Sequence, residues 1–125
     1  LPLTQVDSQA ISEVIYTLID NAAKYSPAHT SIYISARQNE KGNLLVAVED
    51  EGRGIVPELR ERIFEKFFRA IHDTGSGNRQ PSGTGMGLAI AKGIIEAHNG
   101  QIRAIDASRN KSGIRFEFSL PVKDE

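Results

Sequence analysis

The segment that most constrains this chain is PSGTGMGLAI, residues 81–90, in which glycines alternate directly ahead of an apolar helical run. Glycine weakens a helix interior, so Gly83, Gly85 and Gly87 indicate a backbone that something approaches closely. The start of a helix also presents unpaired N–H groups and the positive end of the helix dipole. Together these features favour an anion, most readily a phosphate. The alternative is a flexible loop that ends in a helix cap, with Ser82 or Thr84 as the capping residue.

The composition restricts the partners and the chemistry. The chain has 125 residues, enough for one domain, and its net charge of −1 comes from 15 basic and 16 acidic side chains. This balance gives no electrostatic reason to bind nucleic acid or an acidic membrane surface. The absence of cysteine excludes disulfides and thiolate metal sites. Since no apolar run approaches the roughly 20 residues that span a bilayer and the start lacks signal-peptide features, we expect a soluble domain, alone or as part of a longer membrane-anchored protein.

Hydrophobic periodicity predicts the order of the elements. A helix runs from Ile11 to near Tyr25, where Pro27 ends it, and is followed by a hairpin of residues 31–37 and 44–50. A short helical piece over 57–65, a second helix over about 86–98 and two strands over 101–107 and 114–120 complete the series. Residues 70–85 are polar, glycine-rich and aperiodic, which is typical of a mobile functional loop. This order predicts an α+β fold, a two-layer α/β sandwich whose mixed sheet is covered by helices on one face.

The end of the first helix carries polar residues on one flank. Asn21 lies at the edge of the apolar stripe, and Lys24 and Thr17 lie further round on the same side. An amide oxygen there is suited to a hard cation such as Mg²⁺, and a nearby ammonium is suited to phosphate oxygens. The alternative is an ordinary polar helix end, where the dipole favours Lys24 in any case.

An acidic turn, VEDEGRGI, follows the second predicted strand. The carboxylate of Asp50, fixed at a strand end, is suited to accept a hydrogen bond from the exocyclic amine of adenine. Gly52 and Gly54 let a base or a backbone approach closely. The alternative is a solvated acidic turn, and we expect Glu49 and Glu51 to be solvated in this way.

The segment IFEKFFRA places aromatic and basic residues just before the polar loop. Aromatic residues at this spacing are more often core or hinge than ligand contacts, so we expect Phe64, Phe67 and Phe68 to anchor the loop. Lys66 and Arg69 are the weaker candidates for phosphate contact.

The order of these four segments resembles the catalytic ATP-binding domain (HATPase, Bergerat or GHKL fold) of two-component sensor histidine kinases. They correspond to the N box, the first glycine box, the F box and the second glycine box of that family. The resemblance runs from about Asp7 to Pro121 and implies the ATP-binding sandwich shared with DNA gyrase and a class of heat-shock chaperones. It implies that residues 1–125 form one catalytic domain, cytoplasmic, in a bacterial sensor kinase.

The resemblance implies a role for each matching residue. Asn21 would ligate Mg²⁺, Lys24 would contact phosphate, and Tyr25 would lie along the adenine, whose N6 would donate to Asp50. Gly52, Gly54 and Ile55 would shape the base pocket, and Lys66, Phe67 and Arg69 would belong to the ATP-binding set. The triphosphate would lie beneath a lid of residues 70–82 and be wrapped by Gly83, Thr84, Gly85, Met86, Gly87 and Leu88.

The chain departs from the family pattern in three respects. Thr17 stands where the family usually has a second asparagine one turn before Asn21, and Ile114 follows Gly113 where a threonine is common. The phosphoacceptor helix is absent, and none of the histidines, His29, His72 and His98, lies in a matching context. We therefore assign no catalytic residue within the domain and expect the acceptor histidine on a separate dimerisation domain.

Three functions are compatible with these residues. The first is a kinase domain that binds Mg²⁺ and ATP and passes the γ-phosphate to that histidine, and through it to a response regulator. Related ATPases carry a glutamate at the position of Thr17 to activate water, a task that threonine cannot perform and for which Glu13 is badly placed, so transfer is favoured over hydrolysis. The alternatives are a serine protein kinase of the anti-sigma type and a nucleotide-binding regulatory module without transfer activity. Neither nucleic acid nor direct membrane contact is expected of the domain.

Overall fold

The computed structural model describes residues 7–66, 86–108 and 112–121. Two α-helices, α1 (Ser8–Tyr25) and α2 (Gly87–Ala97), accompany four strands, β1 (Tyr33–Gln38), β2 (Leu44–Glu49), β3 (Gln101–Asp106) and β4 (Ile114–Leu120). Two short 3₁₀ turns, Pro57–Leu59 and Arg62–Phe64, replace the short helical piece predicted over 57–65. The predicted loop over 70–85 lies wholly outside the described residues, as do the site candidates Phe67, Arg69, Gly83, Thr84 and Gly85.

Helix α1 begins three residues earlier than its apolar stripe, because Asp7 caps it. The Asp7 carboxylate accepts from the backbone N–H groups of Gln9 and Ala10, each at 3.1 Å. At the other end, Ser26 adopts extended backbone ahead of Pro27, as the proline requires. Val14, Leu18 and Ala22 are the buried residues of the helix and lie on one stripe.

The sheet has the order β1-β2-β4-β3, and every described strand pair is antiparallel. The prediction of a mixed sheet is therefore wrong for the described strands, whereas the α+β class and the two-layer arrangement are confirmed. The reason lies in the long connection from β2 to β3, which joins strands of the same direction that are not neighbours. Strand β4 returns by a hairpin into the gap between them and is antiparallel to both.

The core lies between the two helices and one face of the sheet. Alternate residues of the central strands point toward the helices, with Val46 and Val48 on β2 and Phe116 and Phe118 on β4. Phe64, from the second 3₁₀ turn, meets the Phe116 ring edge-on with centroids 6.2 Å apart. Phe64 is buried, which agrees with the expectation that this aromatic is structural. Among the described helices, none is both long and apolar enough to cross a membrane.

Candidate functional site

Two predicted site segments meet along the C-terminal half of α1. A Cβ atom added to Gly52 would lie 2.6 Å from the backbone oxygen of Tyr25, so the acidic turn touches the end of α1 directly. A Cβ atom on Gly87 would lie 3.3 Å from the Thr17 methyl group, so the first turn of α2 lies against α1 two turns earlier. Asn21 lies between Thr17 and Tyr25 along α1. The helix therefore joins the turn and the start of α2 into one site.

Asp50 is a buried carboxylate at the base of the turn. It follows β2, its side chain is nearly inaccessible at 3% relative exposure, and its own N–H donates to Ile114 O at 3.0 Å. Oδ1 accepts from Gly52 N at 2.9 Å and from Ile114 N at 3.2 Å. Within the described residues Oδ2 takes no hydrogen bond. Among the described residues, Ser26 Oγ is the one side-chain N or O atom that is both fully buried and without a partner. Asp50 Oδ2, which also has no partner there, therefore keeps some exposure. One oxygen thus fixes the carboxylate, and the other remains open to accept.

The turn after Asp50 is held against the loop between β3 and β4. Gly54 has a φ of +79°, which favours glycine, and a Cβ atom there would lie 2.7 Å from Ser112 O. Gly113 approaches the backbone oxygen of Asp50 too closely for any side chain. Ile55, half-buried, packs against the core. The predicted pocket residues Gly52, Gly54 and Ile55 therefore lie on one tightly packed turn.

The polar flank of α1 carries Asn21 and Lys24, with Tyr25 at its end. Asn21 is half-buried, and the ammonium of Lys24 lies 3.0 Å from Asp20 Oδ2, one turn earlier on the helix. The Lys24 side chain retains 33% exposure, and Tyr25 retains 42%. These side chains are accessible enough to meet a ligand.

Within the part of the chain that the structure describes, the start of α2 has no side-chain cap. Met86 is the capping residue and makes no side-chain hydrogen bond to the backbone of the first turn. Gly87 is exposed, while Leu88 is partly buried and packs against the core. Met86 itself therefore leaves the first N–H groups of α2 without a side-chain partner, and such groups at a helix start suit an anion. Lys66, exposed after the second 3₁₀ turn, has no described contact with this group.

Glu49 and Glu51 are not solvated as expected. Glu49 is only 1% exposed and accepts from Arg115 Nη1 at 3.2 Å and from Ser108 Oγ at 2.9 Å. Glu51 is half-buried and accepts from the Tyr33 hydroxyl at 2.9 Å and from Ser31 N at 3.2 Å. The prediction failed because the partners of both carboxylates come from distant positions along the chain.

A charged network on the helix-free face of the sheet was missed altogether. Arg115 bridges Glu49 and Glu117, and Arg103 Nη2 donates to Glu117 Oε1 at 2.7 Å. Burial raises the pKa of Glu117, but the hydrogen bonds and positive charges of Arg103 and Arg115 outweigh it and hold the pKa below its ordinary value. The pairs are directly opposed across strands, Glu49 with Arg115 and Arg103 with Glu117. These pairs follow from the strand register, which cannot be read from the sequence alone.

Ile114 contributes to the site through its backbone. Its side chain is 4% exposed within the core, whereas its N–H holds Asp50 Oδ1. The departure from the common threonine therefore changes a buried side chain and preserves the backbone contact with the carboxylate.

The described residues contain no group of three or more His, Cys, Asp or Glu side chains placed to hold a metal ion. The protein ligand predicted for Mg²⁺ is the single carboxamide oxygen of Asn21. This fits Mg²⁺, which usually keeps few protein ligands and shares phosphate oxygens.

The fold and this site define the class of protein. Residues 6–124 match the family described as histidine kinase-, DNA gyrase B-, and HSP90-like ATPase, and the chain belongs to that family. Its ATP-binding domain is the kind found in sensor histidine kinases of two-component signalling.

Named relatives place the chain more narrowly. It is 43% identical over 122 residues to the adaptive-response sensory kinase SasA of Synechocystis sp., covering 98% of this chain and 30% of the relative. It is 39% identical over 122 residues to the sensor histidine kinase WalK of Bacillus subtilis, covering 97% of this chain and 19% of the relative. The chain thus spans less than a third of the length of these two relatives.

Solved structures agree with this placement. The mycobacterial sensor histidine kinase MprB superposes with a TM-score of 0.83 at 29% identity, covering 99% of this chain and 80% of that one. Full-length ShkA in complex with AMPPNP superposes with a TM-score of 0.76 at 26% identity, covering 100% of this chain and 24% of that one.

Proposed function

We propose that this domain binds Mg²⁺ and ATP and donates the γ-phosphate to a histidine on a separate dimerisation domain, as the kinase half of a two-component sensor. The observation that carries the proposal is Asp50, a buried carboxylate with one oxygen fixed by two backbone N–H groups and the other open. Family membership supports nucleotide binding, and the relatives named as sensor kinases support transfer to a protein.

Asp50 selects the base in this proposal. Its open Oδ2 accepts from the adenine amine N6, while Gly52 and Gly54 keep side chains out of the space that the ring occupies. Tyr25 lies along the ring from the end of α1, and Ile55 closes the apolar side of the pocket. The hydrogen bond is charge-assisted and largely removed from water, so it is worth about 1.5 to 3 kcal/mol.

The phosphates extend from the base toward the start of α2. The N–H groups of Met86, Gly87 and Leu88, to which the Met86 side chain makes no cap, meet phosphate oxygens, and the helix dipole favours the negative charge. Lys24 supplies a positive charge from the flank of α1, sharing it with Asp20. Gly83, Thr84, Gly85, Phe67 and Arg69 keep their predicted roles here as proposals, together with the exposed Lys66.

Mg²⁺ supplies neutralisation of the phosphate charge when it is bound. The carboxamide oxygen of Asn21 is its protein ligand in this proposal. Thr17, one turn earlier, has no group that accepts a proton from water near neutral pH, so the site holds the γ-phosphate for an incoming nucleophile and does not activate water.

The experiment incubates the chain with γ-labelled ATP and Mg²⁺, alone and with a purified histidine-bearing dimerisation domain. We expect no label on the chain alone and an acid-labile, alkali-stable label on the added domain, as a phosphohistidine gives. An acid-stable label on a serine would assign the chain to the serine kinases instead. The added histidine domains should include ones that other kinases of the class phosphorylate. If the chain binds nucleotide but labels none of them, it is a nucleotide-binding regulatory module.

A further inference from the structure

Arg60 connects the acidic turn to the end of β3. It follows the first 3₁₀ turn, and its Nε donates to the backbone oxygen of Ile55 at 2.7 Å. Its Nη2 donates to Asp106 Oδ1 at 2.8 Å. The guanidinium group is planar, so these two contacts fix both the distance and the orientation between its partners. Arg60 thus links a carbonyl of the turn to the last residue of a strand.

The two partners of Arg60 lie on the acidic turn and at the end of β3. Ile55 is the last residue of the turn that begins at Asp50, and Gly54 already packs against Ser112 at the far end of the loop between β3 and β4. Asp106 stands at the near end of that same loop. The turn is therefore held against both ends of the loop, by van der Waals contact at Gly54 and by hydrogen bonds at Arg60.

The two contacts of Arg60 differ in how strongly they hold the turn. Asp106 is 82% exposed in its side chain, so its ion pair is screened by water and contributes little by itself. The Arg60 side chain is only 21% exposed, and its bond to Ile55 satisfies a backbone oxygen of an irregular segment that has no strand partner. The bond to Ile55 is consequently the one that fixes the turn.

We propose that Arg60 is a positioning residue for the base end of the nucleotide pocket, acting through the carbonyl of Ile55. This inference rests on the proposed function, because the turn is a base pocket only if the domain binds ATP. Arg60 touches no part of the nucleotide in this account. Its effect is to hold Gly52, Gly54 and Ile55 at the spacing that admits the adenine ring.

The test is calorimetric titration of Mg²⁺ and ATP into the parent chain and into Arg60→Ala, Arg60→Lys and Arg103→Ala, each first shown to be folded by circular dichroism. Arg103 is the matched control, because it also holds a carboxylate at 2.7 Å but lies on β3, away from the turn. We expect Arg60→Ala to lose about tenfold in affinity, Arg60→Lys to recover part of that loss, and Arg103→Ala to stay within about twofold. Partial rescue by lysine separates positioning from simple loss of charge, which lysine would restore fully.

A nuclear magnetic resonance measurement gives a second readout that does not require nucleotide. The amide signals of Gly52 and Gly54 in the free protein should move or broaden in Arg60→Ala and stay in place in Arg103→Ala. Parent-like affinity and unmoved glycine signals in folded Arg60→Ala would overturn the inference and leave ATP binding intact. Equal losses of ATP affinity in Arg60→Ala and Arg103→Ala would show that the loss reflects general destabilisation, and this result would also overturn the inference. A parent chain that binds no ATP would overturn the proposed function and this inference with it.

Discussion

Ile114 donates its backbone N–H to Oδ1 of Asp50 at 3.2 Å, and Asp50 returns its own N–H to the Ile114 oxygen at 3.0 Å. This reciprocal pair continues the β2–β4 ladder by one residue beyond the end of β2 and uses a side-chain oxygen to do so. The carboxylate is therefore oriented by the sheet itself, before any ligand arrives. Such preorganisation is what a buried acceptor needs if it is to select one base.

Gly52→Ala should damage both stability and nucleotide binding. The new Cβ atom would lie 2.6 Å from the Tyr25 oxygen, a backbone atom that cannot move aside without shifting the end of α1. We expect a loss of about 1 to 3 kcal/mol in the free energy of unfolding, measured by urea denaturation, together with weaker ATP binding.

The control for this change is Gly93→Ala, which lies in α2 with nothing within 4 Å of the added Cβ atom. Alanine is the better helix former, so this variant should gain about 0.5 to 1 kcal/mol and bind ATP like the parent. An unaltered stability in Gly52→Ala would show that the turn and α1 are not in the contact described.

Lys24→Met should weaken ATP binding in a salt-dependent manner. The ammonium lies beside the proposed phosphate path and is partly exposed, so its contribution is modest and screened by added ions. We expect a loss of about three- to tenfold at low salt that shrinks in higher salt.

Lys92→Met is the matched control, because Lys92 also pairs with a carboxylate one turn away, Glu96, at 3.9 Å. That lysine lies on α2, beyond the first turn. Equal losses of affinity in the two variants would remove Lys24 from the phosphate site.

Glu117 should make folding sensitive to acid. Its pKa is held below the ordinary value of 4.5 in the folded state, so its contribution to stability is present above that pH and is lost as the pH falls through it toward the folded pKa. Glu117→Gln should cost about 1 kcal/mol near neutral pH, and the difference from the parent should shrink as the pH falls below 4.5. Denaturation curves over this range measure the difference, with exposed Glu96→Gln as a control. A difference that stays constant with pH would contradict the network.

Local signals in the sequence were sufficient for several elements. Strand β4 matches its alternating segment, residues 114–120, in full, because one face is apolar throughout. Helix α1 ends where Pro27 requires, and its earlier start follows from the capping carboxylate of Asp7, a signal that the apolar stripe alone does not contain. The order of the four motifs identified the family, and the comparisons confirm it.

Local sequence signals did not predict the contacts between residues that are far apart along the chain. The burial of Glu49 depends on Arg115 and Ser108, and the role of Arg60 depends on Asp106, all of them far apart in sequence. A glycine just after a helix, such as Gly100, commonly ends the helix by taking the left-handed conformation. In the structure Asn99 takes the left-handed conformation, with a φ of 64°, and Gly100 is needed because it packs against Ser119 O. Each of these required the strand order, which hydrophobic periodicity does not contain.

The most direct test of the account is the affinity of Asp50→Asn for ATP and for GTP, measured by calorimetry in the presence of Mg²⁺. Asparagine preserves the shape of the side chain and an oxygen for Gly52 N and Ile114 N, so the turn should stay folded, as unchanged glycine amide signals would verify. The open oxygen becomes an NH₂ group that faces the amine of adenine, donor against donor, and is instead suited to the carbonyl oxygen of guanine. We predict that ATP affinity falls by about tenfold or more and that the preference for ATP over GTP decreases. A folded Asp50→Asn chain that binds ATP as tightly as the parent, with the same preference over GTP, would contradict the assignment of this turn as the adenine site.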